Sequence, residues 1–277
     1  MPRLLCALAA GALLGATPAA QQPSLNLVLS RLDGYLLEYE QTLASVVAEE
    51  RYSQSASVIA RTGEPQIIRH RVLLSDYALA RSPVGWAGFR DTFEVDGKPV
   101  RDREARLAAL MAAGTPESSA LARRIALENA RYNIGEDVAV RNINVPTVAV
   151  DLVHPVNRSR FSFERLGGDT IDGRATWRLA FTERRRPTII RDPNGKDRRA
   201  RGSIWLDPAT GEVLKTTLQW DGEPEGFITV NYDRDPNVGA LVPVRMIEQY
   251  RRDEMIVEGE ATYSNYRRFQ TSARIVQ

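Results

Sequence analysis

The chain holds one cysteine and two histidines in 277 residues. Cys6 stands alone, so no disulfide forms within the chain and no cysteine cluster can bind a metal. His70 and His154 lie far apart and no H-E-x-x-H is present, which removes the common zinc signatures. Phosphate loops are missing as well, since neither G-x-x-x-x-G-K-[ST] nor G-x-G-x-x-G occurs. No G-x-S-x-G marks a nucleophile, and no cofactor is implied. A strong charge of one sign is also absent. The 37 Lys and Arg against 35 Asp and Glu leave +2, too little for bulk attraction to nucleic acid. No apolar run reaches the roughly 20 residues that a membrane-spanning helix needs.

What is present reads as an exported protein rich in strands. Met1-Pro2-Arg3, the apolar run Leu4 to Leu14 and the small residues Gly15 to Ala20 form the pattern of a secretory signal peptide, residues 1–20, with cleavage near Ala19 or Ala20. A periplasmic or secreted location follows from it. From Leu25 to Val47 apolar residues recur at three- and four-residue steps, the period of an amphipathic helix. Ile68, His70, Val72 and Leu74 then alternate with Arg69 and Arg71, and Phe93 and Val95 with Thr92 and Glu94, as in half-buried strands. Asp96-Gly97 ends a strand in hairpin fashion. Residues 102–132 read as a helical insert, with Asp102 and Thr115-Pro116 as helix starts and Leu107, Leu110, Met111, Leu121, Ile125 and Leu127 as apolar positions. Asn144 to Leu152 fits a helix by spacing and a strand by its β-branched content, and the spacing favours a short helix.

Strands resume after Pro155. Phe161 and Phe163 alternate with Ser162 and Glu164, and Trp177, Leu179 and Phe181 with Arg178 and Thr182. The clearest unit is Ile204 to Lys215, a strand, a turn over Asp207-Pro208 to Gly211, and a second strand with Leu214, Leu218 and Trp220 on one face. Further strands cover Phe227 to Tyr232, Val242 to Tyr250 and Met255 to Tyr266. The fold class is α+β. One continuous, strongly curved antiparallel sheet has helices against one face, and residues 21–277 form a single domain.

Polar clusters give little chemistry. Glu49-Glu50 and Glu258-Glu260 could be placed as acid-base pairs, but they read better as solvated faces. Asp192 to Asp197 and Asp233 to Asn237 resemble pieces of calcium loops yet lack the final glutamate, and read as turns. No catalytic residue is assigned, so the chain reads as a binder and not as an enzyme. Arg184, Arg185, Arg186 and Arg191 form the densest cationic stretch. They are candidate anion contacts, because arginine offers a fork of donors to phosphate or carboxylate, and they serve equally as a solvated hairpin.

Trp205-Leu206-Asp207-Pro208, Thr210-Gly211 and Val213-Leu214-Lys215, with the later Val242-Pro243-Val244 and the N-terminal helix, resemble the periplasmic lipoprotein carrier and receptor superfamily (LolA/LolB-like). The chain is also similar to exported bacterial proteins of unknown function. The helical insert departs from the superfamily pattern. The resemblance implies a half-open barrel whose concave apolar face holds acyl chains. Its expected ligand is a lipid or a lipidated protein, and the expected liners are Phe161, Phe163, Trp177, Leu179, Phe181, Leu214, Leu218 and Trp220, each of which could instead be ordinary core. The other reading is a cell-envelope interaction module with a protein partner. Neither reading involves nucleic acid or an integral membrane span.

Overall fold

A computed structural model describes residues 22–44, 46–82, 85–100, 124–125, 127–135, 143–192 and 194–268. The signal segment and the insert residues from Asp102 to Leu121 lie outside them. Helix α1 covers Leu25–Leu43, with Ser24 as its N-cap accepting from the Leu27 amide at 3.3 Å. That bond satisfies one of the free N–H groups of the first turn. Val28, Leu32, Leu36, Tyr39 and Leu43 form its buried stripe.

The helix stops short of the expected Val47. Val46 and Val47 instead begin strand β1 (Val46–Ile59), opposite Arg268 and Arg267 of the last strand. Two β-branched residues paired with β13, Val47 also with Ala78 of β2, outweigh the helical spacing.

After β1 come β2 (Pro65–Ser82), β3 (Gly85–Val95) and the two-residue β4 (Lys98–Pro99). A short helix α2 (Val148–Val153) and a 3-10 turn at Pro155–Arg160 lead into β5 (Phe161–Ile171) and β6 (Arg174–Glu183). Residues β7 (Ile190–Arg191) and β8 (Asp197–Arg198) form a small separate ribbon. Then follow β9 (Ala200–Leu206), β10 (Val213–Trp220), β11 (Glu225–Asp235), β12 (Ala240–Arg252) and β13 (Met255–Arg268). Eleven strands pair antiparallel in the order β4-β3-β2-β1-β13-β12-β11-β10-β9-β6-β5. Among the described residues β4 and β5 do not pair, so the curved sheet stays open. The edge at β4 is two residues long, and β5 carries a register shift between Arg165 and Gly167. Both are ordinary ways of blunting an exposed edge.

The expected short helix at 144–152 is α2, and the Asp96-Gly97 hairpin joins β3 to β4 with φ of 50° and 78°. The strands expected from residue 161 onward are all found. In β2 the face is the reverse of the expected one. Leu73, Ser75 and Tyr77 are buried, whereas Ile67, Ile68 and His70 are exposed. The register shift between Ala56 and Ser57 passes over Ile68, but from Arg69 to Ala78 the pairing with β1 is unbroken and sets Arg69, Arg71 and Leu73, not His70 and Val72, opposite the buried Ala56, Gln54 and Tyr52. Ile125 is buried as expected, but Leu127 is 68% exposed.

The inner wall is a set of rows that cross every strand. One runs Leu179, Ile204, Thr216, Val230, Met246, Ala261, Tyr52, Leu73. Helix α1 lies across the end of these rows, where the β9–β10 turn meets it. A Cβ on Gly211 would fall 2.5 Å from the backbone carbon and oxygen of Arg31, and its φ is +84°. Gly211→Ala should therefore cost about 2–4 kcal/mol. Gly63→Ala, at φ +85° with nothing within 4 Å, should cost only about 1 kcal/mol. Urea unfolding of the two variants checks this, and equal losses would mean that α1 does not press on the turn.

Candidate functional site

The eight expected liners split by strand. Trp177, Leu179 and Phe181 of β6 and Leu214, Leu218 and Trp220 of β10 are buried, as is Phe161 of β5, while Phe163 is half-buried. They are brought together on one wall with Ile204, Leu206, Ile228 and Val230. Phe181 lies over Gly202, whose hydrogen leaves room for the ring, and meets Phe161 edge-on at 5.9 Å. Trp220 packs against Tyr250 at 5.6 Å. Trp205 is on the outer face, where Arg178 and Lys215 stack on its ring and its Nε1 donates to Asp169 Oδ2 at 3.0 Å.

α1 packs its apolar stripe into the same core at the end of this wall, where polar contacts around its perimeter hold it, and α2 lies against β10. Arg31 Nη1 donates to the Pro208 carbonyl at 2.6 Å, and Arg158 Nε to Asp33 Oδ1 at 3.1 Å. Arg165 Nη1 donates to Gln22 Oε1 at 2.8 Å. Two of these clamps also cap aromatic rings of the wall: Arg158 sits 4.4 Å from the Phe163 centroid and Arg165 3.7 Å from that of Trp177. Such stacking holds a cation over the negative face of the ring. Beside the close approach of Gly211 to Arg31, a cleft of about 420 Å³ runs between α1 and the β9–β10 and β11–β12 turns, lined by Gly34, Tyr35, Glu38, Glu212, Arg234 and Leu241. Beneath the helix Tyr39 lies against Tyr35 and Tyr232, and its buried hydroxyl makes no hydrogen bond. In α2, burial pushes the Asp151 carboxyl up to about 7, against a hydrogen bond from Thr147.

The wall on the β1 side is polar, which the alternation of apolar residues did not disclose. Glu50 is fully buried and receives Arg90 Nε at 2.6 Å and Nη2 at 2.8 Å, and Tyr263 donates to it at 2.8 Å. Arg90 Nη2 also donates to the Asn144 carbonyl at 2.7 Å, and the guanidinium lies 4.6 Å from the Tyr52 ring centroid. Tyr52 and Tyr250 both donate to Glu248, and Asn144 Nδ2 donates to the Tyr52 hydroxyl at 3.2 Å. A Cβ on Gly259 would lie 2.7 Å from both Glu248 Oε1 and the Tyr52 ring, so a glycine is needed there. Glu50 therefore belongs to the interior, not to a solvated face beside Glu49. Burial, and then the Glu50 charge, hold the Tyr263 hydroxyl above its ordinary range, so it stays a neutral donor. Despite its burial, the Arg90 guanidinium is held well above its ordinary range by the Glu50 charge and hydrogen bonds. Glu258 and Glu260 pair with Gln249 and Arg245 on the exposed face.

The four expected anion contacts are exposed at the loop between β6 and β9. Arg184 Nε donates to Ser162 Oγ at 2.8 Å, and Arg186 and Arg191 lie 4.0 and 3.7 Å from Asp197. Arg185 is exposed beside them.

No family model matches this chain, and no curated protein does. Among solved structures it is similar to a DUF1329 family protein from Desulfovibrio piger, at 13% identity over 90% of this chain and 95% of that one, with a TM-score of 0.34. It is similar to a LolA superfamily protein from Nitrosomonas europaea at 9% identity over 88% and 97%, with a TM-score of 0.31. Lipoprotein LppX from Mycobacterium tuberculosis matches at 12% identity over 88% and 96%, with a TM-score of 0.27. The neighbours thus include the superfamily that the β9–β10 hairpin resembles. With TM-scores below 0.5 they add no weight to the functional reading.

Arg90→Met should cost about 3–5 kcal/mol, because it leaves the Glu50 carboxylate buried without its cation. Adding Glu50→Met to it should recover most of that loss. A double-mutant cycle by urea unfolding measures the coupling, and additive losses would show that the two side chains act separately.

Proposed function

We propose that the protein is an exported carrier that holds a hydrophobic ligand, the acyl chain of a lipid or of a lipidated protein, against the inner wall of its open sheet. The observation that carries this reading is the way α1 closes the wall. An amphipathic helix lies across one end of the inner wall, held to the β9–β10 turn by Arg31 and to the 3-10 turn by Arg158, with a cleft of about 420 Å³ between it and the β9–β10 and β11–β12 turns. Shifting that helix would open one end of the apolar strip that runs from Phe161 and Phe163 through Trp177, Leu179 and Phe181 to Leu214, Leu218 and Trp220. An acyl chain laid there regains about 25 cal/mol per Å² of apolar surface, offsetting the loss of helix contacts before the costs of association.

A binding role is supported over catalysis by the engagement of the buried carboxylates. Glu50 is taken up by Arg90 and Tyr263, and Glu248 by Tyr52 and Tyr250. Among the described residues no helix is long and apolar enough to cross a membrane. Export through the N-terminal signal segment and a periplasmic or secreted location belong to the same proposal.

The test pairs stability with uptake. The protein purified after export should return lipid on organic extraction and bind a fluorescent fatty-acid probe at micromolar concentration. Leu32→Ala, in the buried stripe of α1, should lower stability by about 2–5 kcal/mol. It should also tighten probe binding, because a larger fraction of molecules then has the helix displaced. Protein that yields no lipid and binds no probe, with Leu32→Ala only less stable, would make the wall ordinary core and leave the envelope interaction module as the reading.

A further inference from the structure

The positive charge of this protein is concentrated in one short loop. Residues 184–201 contain eight basic and two acidic side chains, a net of +6, so the rest of a chain at +2 overall carries −4. The loop is not a loose excursion. Glu183 at its base is fully buried and accepts the Ile189 amide at 2.9 Å and the Ala200 amide at 3.4 Å, with Arg160 Nη2 at 3.3 Å. Ile190 is buried in the core. Arg198 joins Asp192 at 2.9 Å and reaches the Asp221 carbonyl at 3.5 Å, tying the ribbon to the β10–β11 turn.

Both acids of the loop are used to shape it. Asp192 Oδ1 accepts the Asn194 and Lys196 amides, each at 2.9 Å, and Asp197 Oδ1 accepts the Thr188 amide at 2.9 Å and its hydroxyl at 3.2 Å. Arg184, Arg185, Arg186, Arg191, Lys196 and Arg199 are exposed, with Arg184 reaching Ser162 and Arg186 and Arg191 lying within 4.0 Å of Asp197. Among them stands an apolar side chain that a monomer gains nothing by exposing, Ile189 at 41%.

We infer that this stapled loop is a docking surface for an anionic phospholipid bilayer, with the cations at the headgroups and Ile189 entering the interface. The cations spread along an exposed loop with an apolar residue among them. That fits a broad anionic layer better than a discrete phosphate or carboxylate, which calls for donors converging on one point. Cations near an anionic surface each strengthen binding by about fivefold, and salt screens the attraction within a Debye length. The surface lies on the rim where β6 ends and β9 begins, at one end of the inner wall. The inference does not depend on that wall holding a ligand.

Co-sedimentation of the mature chain with vesicles of phosphatidylglycerol and phosphatidylcholine, against phosphatidylcholine alone, tests it. Binding is expected only to the anionic vesicles, with loss at about 1 M salt. The triple change Arg184→Ser, Arg185→Ser, Arg186→Ser should weaken it by roughly a hundredfold, with an unchanged melting temperature, and the three corresponding Lys changes should retain it. Arg245→Ser, which removes an exposed cation of β12 away from the loop, should leave binding as it was. Equal binding to both vesicle types, binding that survives the triple Ser change, or capture by an acidic protein without any vesicle binding would each overturn the inference. The fatty-acid probe is read separately, so vesicle docking and ligand uptake can fail independently.

Discussion

An antiparallel sheet that does not close has an inner wall that something else must cover, and the rest of this structure answers that constraint. The eleven strands end at β4 and β5 without pairing to each other. At one end of the wall the cover is α1, whose side chains Val28, Leu32, Leu36, Tyr39 and Leu43 are buried in the core, while α2 lies against β10. Each such aliphatic side chain stabilises by about 1.5–3 kcal/mol. Among the described residues no backbone hydrogen bond joins α1 to a strand, so area and perimeter side chains alone hold it. On the β1 side the wall is filled by the Glu50–Arg90 pair and the tyrosine hydroxyls. Buried pairs of this kind roughly balance their own desolvation and act mainly by penalising any arrangement that separates them. The β1 side of the wall is thus held by directional bonds, and the end under α1 by apolar contact and perimeter side chains.

How much was legible follows from which half is considered. The alternation in Trp177, Leu179, Phe181 and in Leu214, Leu218, Trp220 identified strands and their common face because the wall there is apolar. The Asp207-Pro208 to Gly211 turn was readable from its residues, and Gly211 then proved to face the Arg31 backbone as well. On the β1–β3 side the inward residues include Glu50, Gln54, Arg90 and Thr92, which look like a solvated face to any hydropathy pattern. The alternation from Ile68 to Leu74 marked the outer face of β2, because the inner positions opposite Tyr52, Gln54 and Ala56 are Leu73, Arg71 and Arg69, two of them charged. Val46 and Val47 extended the helical spacing by chance and were claimed by the sheet. A glutamate, an arginine and several tyrosines spread over distant strands are the only trace of the buried network, and they become a signal once the strands are aligned.

Arginine does three jobs that sequence alone does not separate. Arg90 neutralises a buried carboxylate, Arg158 and Arg165 cap aromatic rings while clamping α1, and Arg184 to Arg186 stand in solvent on a loop whose acids are already engaged. Near-zero net charge therefore conceals a strongly basic rim balanced by an acidic remainder.

The central claim is that α1 is a cover and not part of an indivisible core. Amide hydrogen exchange read by mass spectrometry, with and without oleate, tests it most directly. The α1 amides should exchange through local opening, well before those of β9 and β10, and oleate should change protection in α1 and along β6 and β10 while β1 and β13 stay as they were. Exchange of α1 only at the rate of global unfolding, with no response to oleate anywhere on the wall, would contradict it.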